Sequence, residues 1–511
     1  MIDAGKGSVH RRGDRTASTP SVRTIQPAKF ALVLAHFSLA LLHIRIGSNL
    51  YMVVAFTCIS LMGSRLLLRE TIWASDFYIF GLAVYSATAA LVVKAALLQP
   101  LQANLIHPFY STTVLLAGFG AAAAGAWLAR RVQRPGVDRC FLEKVWRGSR
   151  FSESYVPFLA VGTVFFILHV ALRPRFTNGV LVAGEGFGGF GSLYFMLLFG
   201  ITAALHAFGK GGDRLAQSAA ALAFGLMLTL SLIANTKIEF AQFAMAVALT
   251  VLAFRLRVKI LPVFVLALTL CIFVFYLSPI IHLMRNEFVG LSASERLHRA
   301  WEIAEENDFS AARLLDKEAQ FLSGFSMLNR EDRSFIFPTV ANLERFFLVF
   351  PLDQVAREEL QGHRMSAGPF LRQTAESVLP SILISKDAMV GADLVAWEYG
   401  IRSFGTIGRP VIGPYASLLA MGGIPAVALG MFVSVLLLYS LANFLFGHLR
   451  QSSFGTFFFV LSVMLPEKEI DAMYAFFLRD VVIVILFFLA LAAASRRPRF
   501  RVGADTAQVR A

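Results

Sequence analysis

Residues suited to acid–base chemistry and anion binding are concentrated in one hydrophilic stretch between two long apolar regions. There, His363 or Glu398 can accept the proton of a sugar hydroxyl. Arginines bind phosphates and carboxylates through paired hydrogen bonds, and Arg364 is the third catalytic candidate. The substrate-binding candidates of this stretch are Arg345, Arg372, Lys386 and Arg402. A solvated loop surface is also charged, so that interpretation stays open for each residue alone.

Two further cations lie where apolar runs end. Lys237 belongs to the turn NTKIEF, and Arg285 follows the run that ends in SPIIHLM. At the headgroup level, a facing pair of cations would stabilise a departing pyrophosphate on a lipid-linked substrate. Snorkelling and helix capping are the alternative explanations. We therefore predict that Lys237 and Arg285 bind substrate, and that they face each other.

Arg479 and Asp480 lie inside the apolar run AFFLRDVVIVILFF. Charges within a membrane are costly and usually have a partner or a function. Successive helix residues point about 100° apart, so we expect the two side chains to have different partners. Arg479 is a further substrate-binding candidate, and a structural ion pair between helices is the alternative.

The elements that must position these residues are membrane-spanning helices. The 511 residues are 57% hydrophobic and 16% charged, with mean hydropathy +0.64. The apolar residues fall in blocks long enough to cross a hydrocarbon core of ~30 Å. The pattern predicts an all-α polytopic membrane protein of about twelve spans, nine in residues 30–281 and three in 411–495. The block Val411–Phe446 is too long for one perpendicular span. Breaks at Gly413, Gly422, Gly423 and Pro425 predict that its first part is an interfacial or re-entrant segment leading into one helix.

Lysine and arginine in the short loops determine the predicted orientation. Residues 1–29 and 496–511 form basic tails, which we assign to the cytoplasm. Residues 282–410 then form a large, mostly helical periplasmic loop that carries most candidate residues. The net charge of +14 follows this topological pattern, so we predict a lipid bilayer as partner and no nucleic acid.

Cysteine and histidine spacing predicts no metal site. Cys58 and Cys271 lie in apolar blocks and Cys140 in a basic loop, without ligand spacing. The histidines form no HExxH pattern. We predict no metal and no cofactor.

Five stretches resemble the O-antigen polymerase family, also called oligosaccharide repeat-unit polymerases or Wzy-like proteins. They are SLIANTKIEF, SPIIHLMRN, AGPFLRQTAESVLPSILISKD, GPYASLLAMGGIPAVALGMFVSVLLL and FFLRDVV. The resemblance extends from about Leu215 to the C-terminus. Two positions depart from the family pattern, because Asp387 stands where a proline is usual and Lys237 where an arginine is frequent.

The resemblance implies a fold and a reaction. The fold would be similar to that of the polyprenol-dependent membrane glycosyltransferases. The reaction would be metal-independent transfer of a glycan from undecaprenyl pyrophosphate onto a second lipid-linked repeat unit, at the periplasmic face of the bacterial inner membrane. A chain-length regulator would be a further partner. An O-antigen ligase and a polysaccharide-related transporter remain alternatives.

Reporter fusions test the predicted topology. Fusions after Arg139 and at the C-terminus should report cytoplasm, and fusions between Ser292 and Arg372 should report periplasm, because cations favour the cytoplasmic side. A cytoplasmic signal from a fusion at Asn329 would contradict both the topology and the predicted site.

Overall fold

The structure is a computed structural model and consists almost entirely of helices. It describes residues 25–133, 140–147, 149, 154–172, 175–177, 180–182, 193–211, 214–234, 238–254, 268, 271–284, 293–323, 334–337, 340–379, 383–384, 391–404, 410–449 and 452–495. One antiparallel hairpin pairs β1 (Arg175–Thr177) with β2 (Val180–Val182).

The helices are numbered in chain order. The first nine are α1 (Ile25–Arg45), α2 (Leu50–Leu67), α3 (Ala74–Ala96), α4 (Pro108–Arg131), α5 (Phe141–Trp146), α6 (Val156–Leu172), α7 (Phe195–Gly211), α8 (Arg214–Ala234) and α9 (Ile238–Phe254). Then follow α10 (Phe273–Leu283), α11 (Ala293–Glu306), α12 (Ala311–Ser323), α13 (Ala341–Glu344), α14 (Val349–Glu359), α15 (Ala367–Val378) and α16 (Gly391–Glu398). The last are α17 (Gly413–Phe446), α18 (Ser453–Leu461) and α19 (Ile470–Ala494).

Five of these helices, α2, α3, α4, α17 and α19, are long and apolar enough to cross a membrane. Shorter apolar helices occupy Val156–His169, Phe195–Lys210, Ala241–Phe254, Phe273–Leu283 and Ser453–Glu467. These helices confirm the class, an all-α membrane protein. The count of twelve spans stays a prediction.

One end of the bundle is organised around the buried carboxylate of Asp76. Arg130 and Arg69 both form ion pairs with Asp76. Asn443 bonds the backbone and hydroxyl of Ser75. This "Asp76 end" therefore collects the first residues of α3 and the last residues of α4 and α17.

The opposite end is organised around the buried carboxylate of Asp353. Asp353 does not directly precede a span in the chain, yet its carboxylate caps the start of α4. Its oxygens accept the backbone N–H groups of Ile106 and His107 at 2.5 and 2.9 Å and the Ser111 hydroxyl at 2.7 Å. The first turn of a helix leaves N–H groups unpaired, and a carboxylate there is favourable. This "Asp353 end" lies where α4 begins.

Helix α17 reverses direction near its start. Gly422 and Gly423 leave the helical conformation, and Gly423 has φ +69°, which favours glycine. A Cβ at Gly430 would lie 2.5 Å from Leu418 Cδ2, so the segment before the turn packs back against the segment after it. The structure agrees with the predicted break in the Val411–Phe446 block.

Part of the predicted periplasmic loop reaches the middle of a candidate span. A π-helical turn, Val84–Thr88, interrupts α3 at its midpoint, and such turns alter the regular hydrogen-bond ladder. The Tyr85 carbonyl there accepts the N–H of Leu348 at 3.0 Å. The Phe346 ring lies 4.9 Å from that of Tyr85. The loop thus enters the bundle just before α14, and α14 is largely buried.

The close contact of α4 with α17 can be tested at two glycines of α4. A Cβ at Gly125 would lie 2.7 Å from the Phe432 carbonyl oxygen, whereas a Cβ at Gly120 would meet nothing within 4 Å. Gly125→Leu should lower the unfolding free energy by about 1–3 kcal/mol through overpacking. Thermal unfolding in detergent measures this, with Gly120→Leu as the matched control. Equal melting temperatures for the two variants would contradict the packing.

Candidate functional site

The structure brings the two predicted proton acceptors together. His363 lies in the turn after α14, and Glu398 is the last residue of α16. His363 Nε2 lies 2.9 Å from Glu398 Oε1, and the two side chains are 44% and 47% exposed. The ring of Tyr399 packs edge-on against His363, with centroids 5.4 Å apart. The imidazole is therefore held on two sides while its surface stays accessible.

Arg364, the next residue, is held by a carboxylate that the sequence did not single out. Its Nε donates to Glu359 Oε1 at 3.1 Å, and its Nη2 donates to the same oxygen. The other oxygen, Oε2, accepts the Tyr110 hydroxyl at 2.6 Å. The Glu359 side chain is 4% exposed and that of Arg364 is 53% exposed. One face of the guanidinium is thus fixed, and the rest remains open.

The segment of Arg364 and the Glu359 carboxylate both contact the turn of α17. The N–H of Met365 donates to the Ala420 carbonyl at 2.9 Å. A Cβ at Gly423 would lie 3.1 Å from both Arg364 Nη2 and Glu359 Oε1. We call the group formed by Tyr110, Glu359, His363, Arg364 and Glu398, beside this turn, the tip site.

Arg345 forms an ion pair outside the tip site, and its side chain is 42% exposed. Its Nη2 and Nε donate to the two oxygens of Glu467 at 2.5 and 3.3 Å, and the Glu467 side chain is 2% exposed. Burial lowers the pKa of Arg345, but the charge of Glu467, its hydrogen bonds and the charge of Tyr85 together outweigh burial, so the net shift is upward. Because Phe346 packs on Tyr85, this ion pair belongs near mid-height of α3.

Arg402 and a group of buried acids form the surroundings of α16. Burial lowers the pKa of Arg402, and the charge of Asp393, which is fully buried, opposes that shift. Burial likewise raises the pKa of Glu469. The Asp471 carboxylate occupies the space beside Gly391, where an added Cβ would lie 2.6 Å from it. Arg402 therefore lies near buried acids and is not part of the tip site.

Arg372 and Arg479 both have acidic partners. Arg372 Nε donates to the buried Glu376 at 2.7 Å, one turn along α15. Arg479 donates to its neighbour Asp480 at 2.7 and 3.3 Å and to the Ser377 carbonyl at 2.9 Å. The expectation of different partners for Arg479 and Asp480 is therefore wrong. The long arginine side chain folds back within a π-helical turn, Phe476–Val481. Its Nη1 donates to the C-terminal end of α15.

Three predicted binding residues, Lys237, Arg285 and Lys386, lie outside the described residues. The facing of Lys237 and Arg285 thus remains a prediction. Among the residues that the structure describes, no group of three His, Cys, Asp or Glu side chains is arranged to hold a metal ion.

Asp353, Glu359 and Tyr110 were not among the residues predicted from the sequence. Asp353 interrupts the apolar run LVFPLDQVA, and a lone acid among apolar residues is a signal for a buried partner. Glu359 is the second residue of a Glu-Glu pair without a distinguishing pattern, and Tyr110 is the first residue of the apolar block Tyr110–Ala129. Their contact joins residues that are distant along the chain, so only the fold reveals it.

No family model, curated protein or solved structure matches this chain. The resemblance to repeat-unit polymerases therefore rests on the residues quoted for it.

Asp353 should be essential for the stability of the end of the bundle that carries the tip site. Asp353→Asn keeps the shape but removes the charge and one acceptor, leaving N–H groups at the start of α4 unpaired. We expect a loss of about 3 kcal/mol, since bonds to charged groups contribute ~1.5–3 kcal/mol each. Thermal unfolding of purified protein measures the loss.

Asp308→Asn is the control, because Asp308 pairs with Arg313 at an exposed position where both side chains are more than half exposed. Such a pair contributes ~0–1 kcal/mol. A melting temperature for Asp353→Asn no lower than that of Asp308→Asn would contradict the capping role.

Proposed function

We propose that this chain polymerises undecaprenyl-pyrophosphate-linked oligosaccharide repeat units into a surface polysaccharide, O-antigen or exopolysaccharide, at the periplasmic face of the bacterial inner membrane. The observation that carries the proposal is the pairing of His363 with Glu398 beside Arg364, at one end of an apolar bundle. This arrangement offers a base and an anion-binding group to two substrates whose lipids lie in the same bilayer.

His363 would act as the general base. With Nε2–H donated to Glu398, the lone pair of the imidazole lies on Nδ1, which has no partner among the described residues. A carboxylate that fixes one ring nitrogen in this way orients the other for proton transfer. The acceptor hydroxyl gives its proton to Nδ1 while its oxygen bonds to the anomeric carbon of the donor. Glu398 stabilises the resulting imidazolium.

The bond that breaks joins the anomeric carbon to the pyrophosphate oxygen, and the electron pair leaves with undecaprenyl pyrophosphate. Positive groups aimed at this oxygen lower the barrier. Arg364 would supply such a group from the tip site, and Lys237 and Arg285 would be further ligands of the pyrophosphate. Arg345, Arg372, Lys386, Arg402 and Arg479 are proposed as further substrate-binding residues, and Arg345, Arg372 or Arg402 would hold the pyrophosphate if Lys237 and Arg285 do not.

An O-antigen ligase would use the same chemistry with a lipid A core as acceptor. A transporter is favoured by one observation, because Arg345 and Glu467 form an ion pair near mid-height of α3. Ionisable residues at that depth commonly line a transport pathway. The polymerase is preferred because the tip site, at the bundle end, contains a base that transport does not need.

Gene deletion with complementation tests the proposal. Deletion should shorten the surface polysaccharide to single repeat units that are still made and flipped. Complementation with His363→Ala should restore about 10⁻²–10⁻⁴ of the polymerisation rate, the usual loss for a missing general base. Gel electrophoresis of the polysaccharide gives the length distribution.

His298→Ala is the matched control, because His298 also pairs with a glutamate, Glu302, at 3.0 Å on an exposed helix. It should restore full-length polymer. Unchanged long polymer in the deletion strain would contradict the polymerase. Long polymer that stays on undecaprenol would indicate the ligase, and repeat units confined to the cytoplasmic leaflet would indicate the transporter.

A further inference from the structure

Both oxygens of the Glu359 carboxylate accept hydrogen bonds, one set local in the chain and one from a distant helix. Oε1 accepts two N–H groups of Arg364, and Oε2 accepts the Tyr110 hydroxyl at 2.6 Å. Tyr110 belongs to the first turn of α4, which Asp353 caps. Glu359 is therefore fixed to the rigid bundle, and through it the guanidinium of Arg364 is fixed as well.

Arg364 keeps donors available. A guanidinium has five N–H donors in a planar fork, and the contacts with Glu359 use only Nε and Nη2. Nη1 has no partner among the described residues, and the side chain is 53% exposed. The open edge can thus bind an anion while the closed edge holds the plane in place.

Net charge does not explain this arrangement. The negative charge of Glu359 opposes the positive charge of Arg364, so it weakens the long-range attraction for any anion. If Arg364 acted through its charge alone, it would bind anions better without Glu359. What the ion pair provides is a fixed orientation of Arg364, since a fixed donor stabilises a developing charge without reorganising during the reaction.

We propose that Glu359, held by Tyr110, is a positioning residue that aims the open edge of Arg364 at the pyrophosphate of the lipid-linked donor. This inference rests on the proposed function for the identity of the anion. Gly423 is part of the same device, because any Cβ there would press against both Arg364 and Glu359.

Steady-state kinetics of purified protein with lipid-linked repeat units separates orientation from charge. Glu359→Gln should lower kcat by about 10²-fold, the usual cost of a misplaced catalytic group. KM for the donor should be unchanged or lower, because the cationic charge of Arg364 is no longer neutralised. A wild-type kcat, or a rise in KM with unchanged kcat, would overturn the inference.

Conservative variants should lower kcat by intermediate amounts. Tyr110→Phe removes one anchor of the carboxylate and should lower kcat less than Glu359→Gln. Glu359→Asp keeps the charge with a shorter reach and should recover part of the lost kcat. If Glu359→Asp is no better than Glu359→Gln, orientation by this carboxylate is not the cause.

Asp76→Asn is the matched control, because it breaks another buried carboxylate–arginine pair, with Arg130, at the Asp76 end. It should lower the melting temperature yet leave kcat and KM per folded molecule unchanged. The same split between kcat and KM in Asp76→Asn would show that general destabilisation causes it, and would overturn the inference.

A second measurement does not depend on polymerisation. Phenylglyoxal modifies accessible arginines, and mass spectrometry can follow Arg364 in protein reconstituted with undecaprenyl pyrophosphate. The lipid should slow modification of Arg364 in the wild type and protect it less in Glu359→Gln. If the wild type makes no polymer but shows this difference, the proposed function fails and the positioning stands. Equal protection in both proteins overturns the positioning.

Discussion

Helix α17 reverses at Gly422 and Gly423, and this reversal determines where the loop can attach. Interrupting a helix leaves backbone groups without partners inside the helix. The Ala420 carbonyl, just before the interruption, instead accepts the N–H of Met365. That contact places Arg364 directly beside the turn, where the absence of a side chain at Gly423 leaves room for the guanidinium and its carboxylate. The tip site therefore depends on a backbone break.

A second constraint comes from the cost of burying charge. An ionised group in an apolar bundle must be paired and hydrogen-bonded, and three buried carboxylates follow that rule in different ways. Asp76 and Glu467 bind arginines, while Asp353 binds N–H groups at the start of α4. Each pair ties one specific segment to another. Their value lies in fixing the register of these segments, since a buried ion pair by itself is weak evidence of stability.

The sequence predicted what depends on composition and local spacing. The length of the apolar blocks predicted a membrane protein, and the glycines of the block Val411–Phe446 predicted the break in α17. Residue type identified His363 and Glu398 as alternative proton acceptors, and the fold places them 2.9 Å apart, which the sequence did not predict. Glu359 and Tyr110 were not predictable, because no local pattern links a helix end to a span far away in the chain. Arg479 was misjudged because its side chain length matters more than its direction from the helix.

The number of candidate arginines overstates the positive charge that they present. Arg345, Arg364, Arg372 and Arg479 each bind a carboxylate, and three of these carboxylates are almost fully buried. An anion approaching this surface meets ion pairs and little net charge. Recognition must then come from hydrogen bonds to the N–H groups that the pairs leave open. The attraction of a directed hydrogen bond decreases more steeply with distance than that of a charge. A substrate already confined to the bilayer needs no long-range attraction, so a directional site suits a lipid-linked pyrophosphate better than a soluble anion.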